Sequence, residues 1–266
     1  MSSGFNDLEL NLEKSFEELL ISDSIMAIKA EFEAEGTRIE ELIILSELCC
    51  KKNVDFTLKI GGPSAQRDFY EAFQLGAKNI LIPMVESEYS LLASFETYYK
   101  FLPIFKHLKT APKLFINIES FLSFKNLGKI IDTVLKERLP LSTIVIGRSD
   151  LSESLNIKDV NSKKILAISE EILQYKEFFN ITLGGNLTSE SFNFINYLNL
   201  KGLNSFESRK CTFKSKVPTS YKKFNHIISL GLDFELSWLK YKKAFYSNRS
   251  NLDNNRIKLI ESRLKK

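Results

Sequence analysis

From residue 25 onward the hydrophobic period of this chain switches repeatedly between that of a strand and that of a helix. Short β-rich apolar runs, "IMAIKAEFE", "DFTLKIGG", "NILIPMVES", "KLFINIES", "STIVIGRSD", "NITLGGNL" and "LNSFESRKC", alternate with longer stretches such as "TRIEELIILSELCCKK" and "VNSKKILAISEEILQYKEFF", whose apolar residues recur at three- and four-residue spacing. A strand followed each time by a helix rejoins its sheet through a crossover, so the strands are expected to be parallel. Seven such units without a break in composition favour an α/β fold of the TIM (β/α)8 type over an open doubly wound sheet. No GxGxxG follows the first strand, which removes the main sign of a dinucleotide fold. The count is one short of eight. Either a weak first strand hides in residues 1–24, or the first unit is modified, with "LELNLEKSFEELL" as a leading helix.

The barrel, and with it any catalytic domain, is expected over residues 1–220, with residues 221–266 as a helical extension. In that extension Phe224, Ile228, Leu232, Leu236 and Leu239 mark an apolar face expected to pack on the barrel or on a neighbouring subunit of a homo-oligomer. The closing "NRSNLDNNRIKLIESRLKK" reads as a basic, solvated helix. The net charge of +4 is spread along the chain, and no basic stripe interleaved with aromatics precedes the last fifty residues, so nucleic acid is not an expected partner. No apolar run approaches the roughly 18 residues of a membrane span. The N-terminus lacks the basic start and apolar middle of a signal peptide. No membrane association and a cytoplasmic location are expected. Cys49, Cys50 and Cys211 lack CxxC spacing, which argues against a zinc site or a disulfide framework.

Three apolar strands end on a carboxylate: "IPMVES" at Glu86, "FINIES" at Glu119 and "VIGRSD" at Asp150. In a barrel these C-terminal strand ends converge on one mouth, where active sites of this architecture sit. Convergent carboxylates suit a hard divalent cation such as Mg2+ or Mn2+; singly, each acid could instead cap the helix that follows. Gly61 and Gly62 in "KIGGPS", and Gly184 and Gly185 in "TLGGNLT", put bare backbone between a strand and the next helix. Such amides can bind an anion, or simply make a tight turn.

The ordered series "LKIGGPSAQRDFYEAFQLGAKNILIPMVES", "FINIES" and "VIGRSDLSESL" resembles the HpcH/HpaI aldolase and citrate lyase β-chain family, a group of phosphoenolpyruvate/pyruvate-type TIM barrels. The resemblance implies a metal held by Glu119 and Asp150 that acts as a Lewis acid on a 2-oxo acid, an acyl-CoA or a related carboxylate. It also implies a basic residue at the place of Lys59, where Arg is common in the aldolases; from the residues themselves, Gly61, Gly62, Glu86, Gly147, Arg148 and Arg38 are the candidate substrate-binding positions, with Arg38 and Arg148 as anion contacts or as surface pairs of nearby Glu. The family's histidine base is missing. The corresponding "AEFEAEGTR" carries Glu31, Glu33 and Glu35, of which Glu33 or Glu35 is the candidate base. His107 and His226 match no family site. Asn156 stands where the family commonly has glycine, a replacement that a left-handed turn tolerates. Glu207 and Arg209 in "FESRKC" border the mouth or lock the barrel by an ion pair.

The expected activity is a divalent-metal-dependent carbon–carbon lyase or aldolase working through an enolate on a small anionic substrate. The alternatives are a noncatalytic or regulatory metabolite-binding barrel, motivated by the missing histidine, and a phosphoenolpyruvate-using C–O bond enzyme.

Overall fold

The computed structural model describes residues 3–108, 110–246 and 250–265. Eight strands form a closed barrel in sequence order: β1 (Ile25–Glu31), β2 (Asp55–Lys59), β3 (Asn79–Ile82), β4 (Lys113–Ile118), β5 (Leu141–Gly147), β6 (Asn180–Gly184), β7 (Ser205–Glu207) and β8 (Cys211–Lys214). β1 to β7 pair in parallel, with Glu31 opposite Lys59 and Gly147 opposite Gly184. The interleaved helices are α1 (Ser3–Ile21), α2 (Ile39–Lys52), α3 (Gln66–Gln74), α4 (Glu88–Phe101), α5 (Phe121–Lys125), α6 (Leu127–Lys136), α7 (Arg148–Ser154), α8 (Lys163–Leu173) and α9 (Phe192–Leu200), followed by α10 (Tyr221–Phe245) and α11 (Ser250–Leu264).

Among the described residues before β1 there is no strand: Ser3–Ile21 fold as the leading helix α1. The eighth strand comes instead from splitting "LNSFESRKC". Ser208 receives the chain in a tight turn, its amide donating to the Cys211 carbonyl at 2.8 Å and its Oγ accepting from the Cys211 amide at 3.1 Å. A connection this short can only join antiparallel strands. β8 therefore runs against β7, with Phe206 opposite Phe213. The barrel shuts where the Lys29 amide donates to the Lys210 carbonyl at 2.8 Å.

Several strand-to-helix junctions are fixed by serine. Ser87 and Ser120 each accept from the amide three residues on, and Ser90 and Ser123 answer in kind, so α4 and α5 begin on reciprocal caps. The Ser120 cap lies next to Glu119 and sets where β4 stops. Asn156 adopts φ 56° after α7, the left-handed turn expected of it.

Residues 26–216 form one unit. Residues 1–25 and 217–266 make up the other. In this helical unit Phe16 of α1 packs on Phe234 of α10 at 5.5 Å between ring centroids, and the buried Glu235 takes a two-pronged bond from Arg256 of α11 at 2.8 and 3.1 Å. The expected basic tail segment begins in residues 247–249, which lie outside the described residues; α11 covers most of the rest. Among the described residues no helix is long and apolar enough to cross a membrane.

Inside the barrel the alternation of strand side chains has an unusual result. Positions that in such barrels are mostly branched aliphatics hold Lys29, Thr57, Lys59, Asn79, Asn117, Thr143, Thr182, Ser205 and Glu207, all buried. They are partnered within the barrel: Asn79 Nδ2 donates to Thr57 Oγ1 at 2.9 Å, and Thr182 and Ser205 share a 2.7 Å bond. Most polar groups this deep are hydrogen-bonded, and Asn117 Oδ1 is an exception among them.

Candidate active site

Glu119 is the first residue past β4 and is 4% exposed. Its Oε1 accepts from the Met84 amide at 3.0 Å, and its Oε2 accepts from Lys59 Nζ at 3.2 Å and from Asn117 Nδ2. β2 and β4 are separated by β3, so the Lys59 contact passes through the barrel interior. Met84 reaches its place by a left-handed backbone, φ 55°, uncommon for a side chain of its size. That turn aims an amide at the carboxylate. Burial pushes the Glu119 carboxyl above its ordinary range, and the Asp150 charge pushes the same way, against the opposing pull of Lys59 and the Met84 amide.

Lys59 is 7% exposed and makes a second ion pair, 2.9 Å to Glu33 Oε2. Burial alone would favour the neutral amine, but Glu119 and Glu33 outweigh it and hold the ammonium above its ordinary pKa. Held between two carboxylates, the Lys59 ammonium acts as a counter-ion to both. The neighbouring acids of "EFEAE" take different cations. Glu35 pairs with Lys210, and Arg209 lies 3.5 Å from Glu31 and 3.4 Å from Glu35. Deeper, Lys29 binds Glu207 at 2.7 Å with both side chains buried. The β7–β8 turn thus brings two cations to the mouth, and Glu207 serves as the barrel lock while Arg209 borders the mouth.

Asp150 lies in the first turn of α7, exposed, and does not cap that helix: the cap position is Gly147, which has no side chain. Gly147 itself is required by the packing. A Cβ there would fall 2.8 Å from Glu119 Cβ and 3.2 Å from Asn117 Oδ1. Glu86 is tied to the same strand end, accepting from Ser120 Oγ, while its carbonyl accepts from Asn126 Nδ2 at 2.8 Å.

Two of the expected contacts, Arg148 and the Gly61 amide, are engaged within the protein. Arg148 is fully buried; its fork donates to the carbonyls of Gly184 (3.0 Å) and Gly185 (2.6 Å) and to Asn161 Oδ1 (2.6 Å), and it lies over the Phe194 ring. Burial lowers its pKa to about 10. It fastens the β6 end to α7 and cannot touch a ligand in this position. The Gly61 amide donates to Asp68 Oδ2 at 2.7 Å and is not open to an anion in this arrangement, and the Gly62 carbonyl accepts from the Ala65 amide. Arg38 is a half-exposed residue at the start of α2, 4.0 Å from Glu40. His107 and His226 are exposed and neither lies at a strand end.

Two contributors escaped the sequence reading. Asn117 was findable, because it stands two residues before Glu119 and strand side chains at i and i+2 share a face. The Met84 amide was not, since nothing in "IPMVE" announces a left-handed methionine.

The site fits a small hard cation in its donor chemistry. Glu119 and Asp150 offer oxygen alone, and among the described residues the buried Oδ1 of Asn117, beside Glu119, has no hydrogen-bond partner. Among the described residues no group of three or more His, Cys, Asp or Glu is placed to hold an ion. The protein would supply two carboxylates and leave the other positions to substrate and water, the usual arrangement for Mg2+.

No protein-family model matches the sequence, and no curated protein matches it. In fold the chain is similar to an HpcH/HpaI aldolase/citrate lyase family protein from Burkholderia cenocepacia, at 11% identity and a TM-score of 0.56 over 68% of this chain and 78% of that one. It is similar to the citrate synthase SbnG at 14% identity and 0.56, covering 72% and 89%. It is also similar to Haloferax volcanii malate synthase in a magnesium/glyoxylate complex, at 9% identity and 0.59, covering 90% and 88%. At such identities the likeness is one of fold.

Proposed function

We propose that this barrel carries out carbon–carbon bond chemistry on a small 2-oxo acid or related carboxylate, through an enolate, with a divalent cation of the Mg2+ class held by Glu119 and Asp150. The observation that carries the reading is the meeting of Lys59 and Glu119 inside the barrel, 3.2 Å apart, with Asp150 in the first turn of the helix that follows the neighbouring strand β5. The similar malate synthase is known with magnesium and a 2-oxo acid, glyoxylate, which supports the same class of ligand here.

The cation would supply Lewis acidity to a carbonyl oxygen. The chain's own residues do the rest. The Met84 amide and Asn117 hold the Glu119 carboxylate at a fixed angle. Gly147 leaves the space through which β5 approaches that carboxylate. Lys59, fixed in its charged form, stabilises negative charge that develops on the substrate oxygen. Glu33 is the better placed of the two candidate bases, because its side chain is 40% exposed at the mouth and answers to Lys59 alone, whereas Glu35 is held by Lys210 and Arg209.

The ion pairing of both glutamates favours a second reading, a barrel that binds the metabolite without turning it over. Titration calorimetry with Mg2+ and oxalate, a planar enolate mimic, tests the binding common to both. Wild-type protein is expected to bind oxalate only with Mg2+ present, and Asp150→Ala to lose it with the fold retained. Oxalate binding that ignores Mg2+, or survives in Asp150→Ala, contradicts the metal site.

A further inference from the structure

We infer that Lys59 is a two-position internal counter-ion: its ammonium neutralises Glu119 until a divalent cation arrives, and Glu33 receives it when the cation takes that place. The inference rests on the metal-site reading above. Lys59 Nζ already touches both acids, 3.2 Å from Glu119 Oε2 and 2.9 Å from Glu33 Oε2. The two partners differ in depth. Glu119 is 4% exposed and lies at the proposed metal position, whereas Glu33 is 40% exposed at the rim.

An ammonium and a divalent cation on one carboxylate repel each other, so one of them must give way. Only Lys59 has somewhere to go. The other cations around the mouth are committed, Lys29 to Glu207, Lys210 to Glu35, and Arg209 to Glu31 and Glu35. Glu33, Glu119 and Asp150 set against Lys59 leave two negative charges, the charge that a divalent cation cancels. The side chain is also suited to the movement. Lysine is a point charge on a flexible stem, free to turn from one oxygen to another, whereas the planar fork of arginine is fixed by its geometry.

Glu33 is therefore a positioning residue for the cation as well as a candidate base. The test is a double-mutant cycle read by Mn2+ binding, with the loss of the free-ion electron paramagnetic resonance signal as the readout, on wild type, E33Q, K59Q and the double variant. K59Q is expected to bind Mn2+ more tightly than wild type and E33Q more weakly, each by roughly tenfold. The E33Q effect should shrink to a small residual loss of charge when Lys59 is absent, because the lysine is then no longer in need of a resting place. Equal weakening by E33Q in both backgrounds overturns the inference, since it is then plain loss of charge at the mouth. Equal binding by all four proteins overturns the inference alone; no Mn2+ binding by any of them overturns the metal-site reading with it. Lys59→Met replaces K59Q in the cycle if the latter does not fold.

Discussion

Gly147 at the end of β5 and Glu119 at the end of β4 are packed so closely that a methyl group on the glycine would lie 2.8 Å from Glu119 Cβ. The glycine has no left-handed backbone to explain it; its φ is −84°. Space for the neighbouring acid is the reason it is there. Gly147→Ala is accordingly expected to cost about 1–3 kcal/mol by overpacking, and to weaken Mg2+ binding because the obstruction falls on a proposed ligand. Chemical denaturation and calorimetry on the same preparation check both effects.

Arg148 and Arg38 differ in what surrounds them. Removal of Arg148 leaves two glycine carbonyls and Asn161 without their donor inside the protein. Arg148→Ala is expected to cost about 3 kcal/mol or more. Arg38→Ala, at a half-exposed position, is expected to change stability by no more than about 0.5 kcal/mol. Comparable denaturation midpoints for the two variants would contradict the structural role given to Arg148.

The buried Lys29–Glu207 pair makes stability depend on alkaline pH. Burial opposes the charge on Lys29, but Glu207 and Glu31 outweigh it, so its pKa in the folded protein lies above the ordinary 10.5. The folded state then keeps a proton that the unfolded state has lost, and stability falls as pH rises from 10.5 through the folded value. Lys59, shifted in the same direction, adds to the fall. Denaturation curves taken at increasing pH from 9 upward should show it, and the fall should be shallower in Lys29→Met, although that variant starts from a lower stability because it strands Glu207.

How much of this was legible depended on the strength of each signal. The parallel barrel could be read because each buried strand is a continuous apolar run and each crossover carries helical spacing. Lys59, Glu119 and Glu33 could be singled out because charged residues at the ends of such runs have few reasons to be there, and the fold does bring them together. The eighth strand could not be found, since β7 and β8 have three and four residues and the turn between them, Ser208, Arg209 and Lys210, contains no Gly, Pro or Asn to mark it. Gly61 and Arg148 were read as ligand contacts because sequence shows which donors exist but not which acceptors reach them first. Asp68, seven residues after Gly61, and the two carbonyls of "GG" at the β6 end are such acceptors.

Proton exchange at the methyl group of pyruvate tests most directly whether the Glu119–Asp150–Lys59 constellation forms an enolate. Followed by NMR in D2O, pyruvate should lose its methyl protons in the presence of the wild-type protein and Mg2+, and retain them when Mg2+ is withheld or Asp150 is replaced by alanine. Exchange that proceeds equally well in Asp150→Ala, or an absence of exchange while Mg2+ and pyruvate are both bound, would contradict the account.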